Sequence, residues 1–151
     1  MSSQVLNEQS SGVQAFVALL RAHATATRRL SAQLSADHGL TINDYEVLLR
    51  LARAPERQMR RVDLAGQVLL TASGITRLLD GLEREGFVAR ASCDTDRRVV
   101  YALLTDAGKE KLVEATATHV AQINELFAER FAEDDLETVT GLLTRLAEPG
   151  G

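Results

Sequence analysis

Two small groups of side chains give this 151-residue chain its chemistry. In the first, Ser73, Thr76 and Arg77 stand three and four residues apart, so a helix would show all three on one face. Short hydroxyls permit close approach to a polyanion, and an arginine among them can donate to both O6 and N7 of guanine. Thr71 is placed to cap that helix. The first helical turn has no internal acceptors for its N–H groups, which can therefore face a phosphate. The second group is Cys93-Asp94-Thr95-Asp96-Arg97-Arg98. Arg98 is the candidate for a minor groove, where narrow A·T-rich stretches concentrate negative potential. Asp96, two residues earlier, is expected to hold that guanidinium in a bidentate pair, and Arg97, on the other face, to meet phosphate. The plain alternatives are a capped, solvated helix and a surface ion pair worth about 0–1 kcal/mol. A third charge at the same tip and a hydroxyl-bearing helix beside it favour contact with nucleic acid.

Such groups need rigid elements to hold them. Thr71 to Leu79 opens a compact helix that stops at Gly86, with Ile75, Leu78, Leu79 and Leu82 on the face opposite Ser73, Thr76 and Arg77. Two β-like runs follow, at 88–91 and 99–104, with the polar tip between them. Helix, hairpin and arginine-bearing tip, in that order, are the parts of a winged helix-turn-helix, which sets a helix in a major groove and a tip in the neighbouring minor groove. Upstream, Val13, Phe16, Val17, Leu20, Thr27, Leu30 and Leu34 recur at helical spacing until Gly39. Thr41 or Asn43 can cap a second helix that stops before Pro55, and 63–69 reads as a short third. Thr105 opens a long helix through Phe127 and Phe131, and a last one begins near Asp134. The expected class is mainly α with a small β-hairpin wing. Residues 41–105 form the winged helix-turn-helix, and helices at 12–38 and 106–147 flank it for dimerisation. Residues 1–11 and the last four are expected to be disordered.

Composition narrows the function. Apolar residues at 45% and charged residues at 25% suit a globular domain. No run approaches the ~20 apolar residues of a membrane span, and the start lacks the basic and apolar regions of a signal peptide. A cytoplasmic protein is the simplest reading. The net charge of −4 is unevenly spread. Residues 50–98 hold ten arginines against seven carboxylates, a balance of +3, and the rest of the chain carries −7. A basic middle can meet phosphate while acidic ends stay in water. One cysteine and three scattered histidines offer no metal set, and no cofactor is expected. No serine or cysteine stands in an activating motif with histidine, and no glycine-rich phosphate loop follows a strand, so the chain is not read as an enzyme.

Thr41-Ile42-Asn43-Asp44-Tyr45-Glu46-Val47-Leu48, Val62-Asp63-Leu64-Ala65, the run from Leu70 to Glu83, and Asp96-Arg97-Arg98 leading to Leu104-Thr105-Asp106-Ala107-Gly108 resemble the MarR family of bacterial transcriptional regulators. The resemblance spans nearly the whole chain in order. Val62 departs from it, standing where a Ser or Thr cap is commoner before the third helix. The resemblance implies a homodimer joined through the terminal helices. It also implies a regulator of double-stranded DNA, a repressor released by a small aromatic or anionic effector bound between those helices and the winged domain. His23, Arg28 and Tyr45 could line that cleft. Two other readings remain: a winged module used for protein contacts without DNA, and a redox sensor acting through Cys93, a thiol beside arginines. Relatives that sense peroxide carry their cysteine in the first helix, where this chain has none.

Overall fold

The computed structural model describes residues 10–68, 72–92 and 95–149. Helix α1, Ser11–His38, starts where the Ser10 hydroxyl accepts from the Val13 N–H, and it ends at Gly39, whose φ of 68° few side chains would tolerate. The helix thus begins inside the stretch expected to be disordered, because Ser10 supplies a cap. Helix α2, Ile42–Arg53, begins with a reciprocal capping box: Thr41 Oγ1 accepts from the Asp44 N–H, and Asp44 Oδ2 accepts from the Thr41 N–H. Pro55 opens a 3₁₀ turn, Pro55–Arg57.

Strand β1, Gln58–Arg60, follows, and its three residues were not expected as a strand. It pairs with β3, Val100–Leu104, whose other edge takes β2, Val88–Ser92; all pairing is antiparallel and the order is β1-β3-β2. The wing hairpin is therefore part of a three-stranded sheet. Helix α3, Arg61–Gln67, starts two residues before the expected position. It has no side-chain cap; instead Arg60, at the N-cap position, sends Nε and Nη2 to the carboxylate of Asp63 in the first turn. Helix α4 is Ala72–Arg84, and helices α5, Asp106–Ala128, and α6, Glu133–Ala147, close the chain. Phe131, expected within the fifth helix, lies in the link to α6, with its ring 6.1 Å from that of Phe127.

The core forms around α2. Val47, Leu48 and Leu51 are fully buried, packed with Leu34 of α1, Leu64 of α3, Ile75, Leu79 and Leu82 of α4, Val88, Ala102 and Leu104 of the sheet, and Leu112 and Ala115 of α5. Helix α1 runs antiparallel to α5, tied by Arg29–Glu129 at 2.9 Å and by Gln122 donating to Asp37. Only Leu30 and Leu34 of α1 are buried, and α6 buries no residue.

Candidate nucleic-acid interface

Helix α4 divides as its periodicity requires. Ile75, Leu79 and Leu82 face the core and Leu78 is half-buried, while Ser73, Thr76 and Arg77 are exposed on the opposite side. The structure thus brings three of the expected contact residues onto one stripe. Thr71, the expected cap, lies outside the described residues, as does Cys93.

At the wing tip, the backbone carbonyl of Asp96 accepts from the Val99 N–H at 3.1 Å. Its Oδ1 accepts from the Arg98 N–H at 3.0 Å and from Arg98 Nε at 3.4 Å. The expected bidentate clamp is therefore corrected to a single guanidinium contact. The same oxygen closes a side-chain turn onto the backbone two residues on, which is what a short carboxylate does best. Asp96 shapes the tip, and the Arg98 side chain, 94% exposed, stands out from it. Arg97 is exposed as well.

The base of the wing is locked to α5. Thr105 Oγ1 donates to the Gly86 carbonyl at 2.7 Å and accepts from the Gly108 N–H, so one hydroxyl both caps α5 and holds the turn before β2. The Thr105 N–H donates to the Phe87 carbonyl. A Cβ at Gly108 would sit 2.1 Å from that same carbonyl oxygen, so position 108 must be bare. The Leu-Thr-x-x-Gly run is a joint that aims the hairpin.

One set of residues was missed in the sequence. Asp80 of α4 lies 3.0 Å from Arg90 of β2 and 3.7 Å from Arg61 of α3, and Glu83 takes Arg90 at 2.9 Å. The Arg90 guanidinium is held above its ordinary pKa, first by the charge of Glu83 and then by its hydrogen bonds to Asp80 and Glu83. Carboxylates three apart on α4, with an arginine just past the Gly86 stop, were the available signal. The partner on α3 is brought in only by folding.

The three residues expected to line a ligand cleft are not brought together. Tyr45 is buried, its hydroxyl 2.9 Å from Thr116 Oγ1 and its ring edge-on to His119 with centroids 4.7 Å apart. His23 and Arg28 are exposed on α1. Arg29, beside Arg28, meets Glu129, and ten residues of α5 separate that level from His119, roughly 15 Å of helix. Burial lowers the His119 pKa, and its Nδ1 is buried without a hydrogen-bond partner. Two clefts of about 350 Å³ lie elsewhere, one walled by Leu49, Pro55, Met59 and Arg53, the other by His38, Leu40, Phe87 and Lys111. Among the described residues no His/Cys/Asp/Glu group could hold a metal, and no helix is long and apolar enough to cross a membrane.

Comparison with known proteins agrees with this geometry. The MarR family model matches residues 40–100, which run from the start of α2 to the wing. Among curated proteins, the HTH-type transcriptional regulator MhqR of Bacillus subtilis is 28% identical over 87% of this chain and 88% of its own. The HTH-type transcriptional repressor YetL of the same organism is 30% identical over 75% and 67%. Among solved structures, AbsC, a MarR family transcriptional regulator from Streptomyces coelicolor, superposes with a TM-score of 0.79 at 30% identity, covering 91% of this chain and 93% of its own. Sco3205, a MarR family regulator from the same organism solved in complex with DNA, gives a TM-score of 0.82 at 26% identity, over 93% and 91%. With the family model on the winged region and 30% identity to YetL and to AbsC over most of each chain, the chain belongs to the MarR family of DNA-binding transcriptional regulators.

Proposed function

We propose that this regulator is a homodimeric repressor without enzymatic activity. It reads a pseudo-palindromic operator with paired α4 helices and leaves it when a small aromatic or anionic effector binds. The observation that carries the reading is the exposed Ser73-Thr76-Arg77 stripe of α4 standing beside a wing whose Arg98 side chain is almost wholly exposed. Arg77 and Arg97 have no ion pair among the described residues, so their charge is available to base edges and phosphate. Thr71 would add backbone N–H groups at the start of α4. Repression as the direction of control is supported by the name of YetL.

Dimerisation is supported by unburied apolar surface at both ends of the chain. Val13, Phe16, Val17 and Leu20 of α1 and Leu142, Leu143 and Leu146 of α6 are exposed in one protomer. Exposed apolar stripes of this extent mark an interface. The effector is proposed to sit between the terminal helices and the winged domain, beside Tyr45, where Thr116 and His119 add polar groups. His23 and Arg28 can reach such a ligand only from the far end of α1.

A mobility-shift assay with DNA from around the protein's own gene tests the reading. Binding to a two-fold site with half-sites about 10 bp apart is expected, and failure to prefer any such site over random duplex would reject it. Titration of that complex with phenolic acids tests release. A tenfold loss of affinity requires ~1.4 kcal/mol of differential binding between the two forms.

A further inference from the structure

The recognition stripe of α4 continues past Arg77. Asp80 follows Thr76 by four residues and Arg77 by three, so its carboxylate lies on the same face one turn on. Its Oδ1 is 3.0 Å from Arg90 Nη2 and 3.7 Å from Arg61 Nη2, which joins α4 to β2 and to the first residue of α3. Arg61 has a side chain only 20% exposed, and its Nη2 is buried without a hydrogen bond, so the nearby Asp80 carboxylate is its counter-charge. Arg90 is 56% exposed and would be free to swing if Asp80 and Glu83 did not hold it.

We propose that Asp80 is a specificity-determining positioning residue, which holds Arg61 and Arg90 away from phosphate and fixes the rotation of α4 against α3 and β2. The proposal rests on the DNA-binding reading above. An arginine free beside a groove binds the backbone of any sequence, because phosphate carries no base information. Each phosphate neutralised steepens the dependence of log K on log salt by about 0.9. Two tied arginines add nothing to that indiscriminate affinity. What remains is phosphate contact from Arg97 and contact from Ser73, Thr76, Arg77 and Arg98, and the value of the α4 contacts depends on how that helix is turned. One carboxylate thereby suppresses binding to random DNA and keeps Arg77 aimed at a base edge.

The test compares operator and scrambled duplexes across a salt series for wild type, Asp80→Asn, Asp80→Glu and Glu85→Gln. Asp80→Asn is expected to lower the operator-to-scrambled ratio at least tenfold and to steepen the scrambled-duplex salt slope by about 1, since Glu83 still holds Arg90. Asp80→Glu, which keeps the charge, is expected to retain most of the ratio. Glu85→Gln removes one carboxylate just beyond α4 that has no ion pair among the described residues, and it should leave ratio and slope as they are. A wild-type ratio and slope in Asp80→Asn would overturn the proposal, as would Glu85→Gln reproducing the Asp80→Asn result. Arg90→Gln gives a second reading independent of the folding of the Asp80 variants. Its scrambled-duplex slope should equal that of wild type, and a slope shallower by about one would show Arg90 already on phosphate and overturn the proposal. Failure of the wild-type protein to prefer any duplex would instead reject the DNA reading itself.

Discussion

Arg77 and Arg98 have the same charge on very different supports, and their loss should be felt differently. Arg77 projects from a helix whose other face is clamped in the core by Ile75, Leu79 and Leu82, so its position is set to within a rotamer. Arg77→Ala is expected to cost roughly 1–3 kcal/mol of operator affinity and to relax one base position per half-site, as measured by binding to single-base operator variants. Arg98 hangs from a turn that Asp96 closes through the backbone. Arg98→Ala should weaken binding and reduce the preference for A·T pairs at the flanks. If both variants bound as tightly as wild type at equal salt, α4 and the wing would not dock as proposed. His119 gives a residue-scale prediction of another kind. Burial depresses its pKa in the fold, so the unfolded chain takes up the proton first as pH falls. Its neutral form costs nothing above the unfolded value of about 6.5, and stability drops progressively below it. Thermal unfolding followed from pH 7.5 to 5 should show a falling midpoint, and His119→Phe should flatten the part of that slope due to this residue. An unchanged slope would place the acid sensitivity elsewhere.

Among the elements, the junction of wing and α5 is the most tightly determined. Thr105 serves two acceptor and donor roles with one hydroxyl, and the Phe87 carbonyl fills the space a side chain at position 108 would need. Gly108→Ala should destabilise the fold by roughly 1–3 kcal/mol in denaturant unfolding, the cost of overpacking against backbone that cannot yield. A fully stable Gly108→Ala protein would show that the hairpin can shift on α5. The Leu-Thr-x-x-Gly run was readable in the sequence, though as a family mark; its physical work appears only when the Phe87 carbonyl is seen beside it. Caps at Thr41, Gly39 and Thr105 were readable because capping is local chemistry within four residues. Strand β1 was not, since Gln58-Met59-Arg60 is too short to alternate and is made a strand by the free edge of β3. The start of α3 shifted for a similar reason: Arg60 and Asp63 replace the hydroxyl cap that the sequence led one to look for.

At the scale of the whole molecule, charge and apolar surface are segregated. The middle of the chain, with its balance of +3, builds the winged domain, and the acidic excess lies in residues 99–151, which carry α5 and α6 and set ten carboxylates against four basic side chains. Phe16 at 59% exposure and Leu146 at 70% are examples of side chains that one protomer leaves in water. Interfaces built on such surfaces commonly bury more than ~2,000 Å². Light scattering should therefore report a dimer at micromolar concentration, and Phe16→Glu combined with Leu146→Glu should yield monomer or unfolded chain. A folded wild-type monomer at that concentration would remove the two-fold reading of DNA as well, because half-site spacing is set by the distance between paired α4 helices.

The order of elements, the two faces of α4 and the basic middle follow from periodicity, capping and residue counts, which are properties of neighbours along the chain. That is why the winged domain and its Ser73-Thr76-Arg77 stripe are legible in the sequence. Tertiary structure alone decided that Tyr45 meets Thr116 and His119 rather than His23, and that Asp80 gathers Arg61 and Arg90. Each of these depends on where separate elements come to rest. Hydrogen bonds and ion pairs act over about 3 Å, and packing places groups at that precision only after residues tens of positions apart have met in one core.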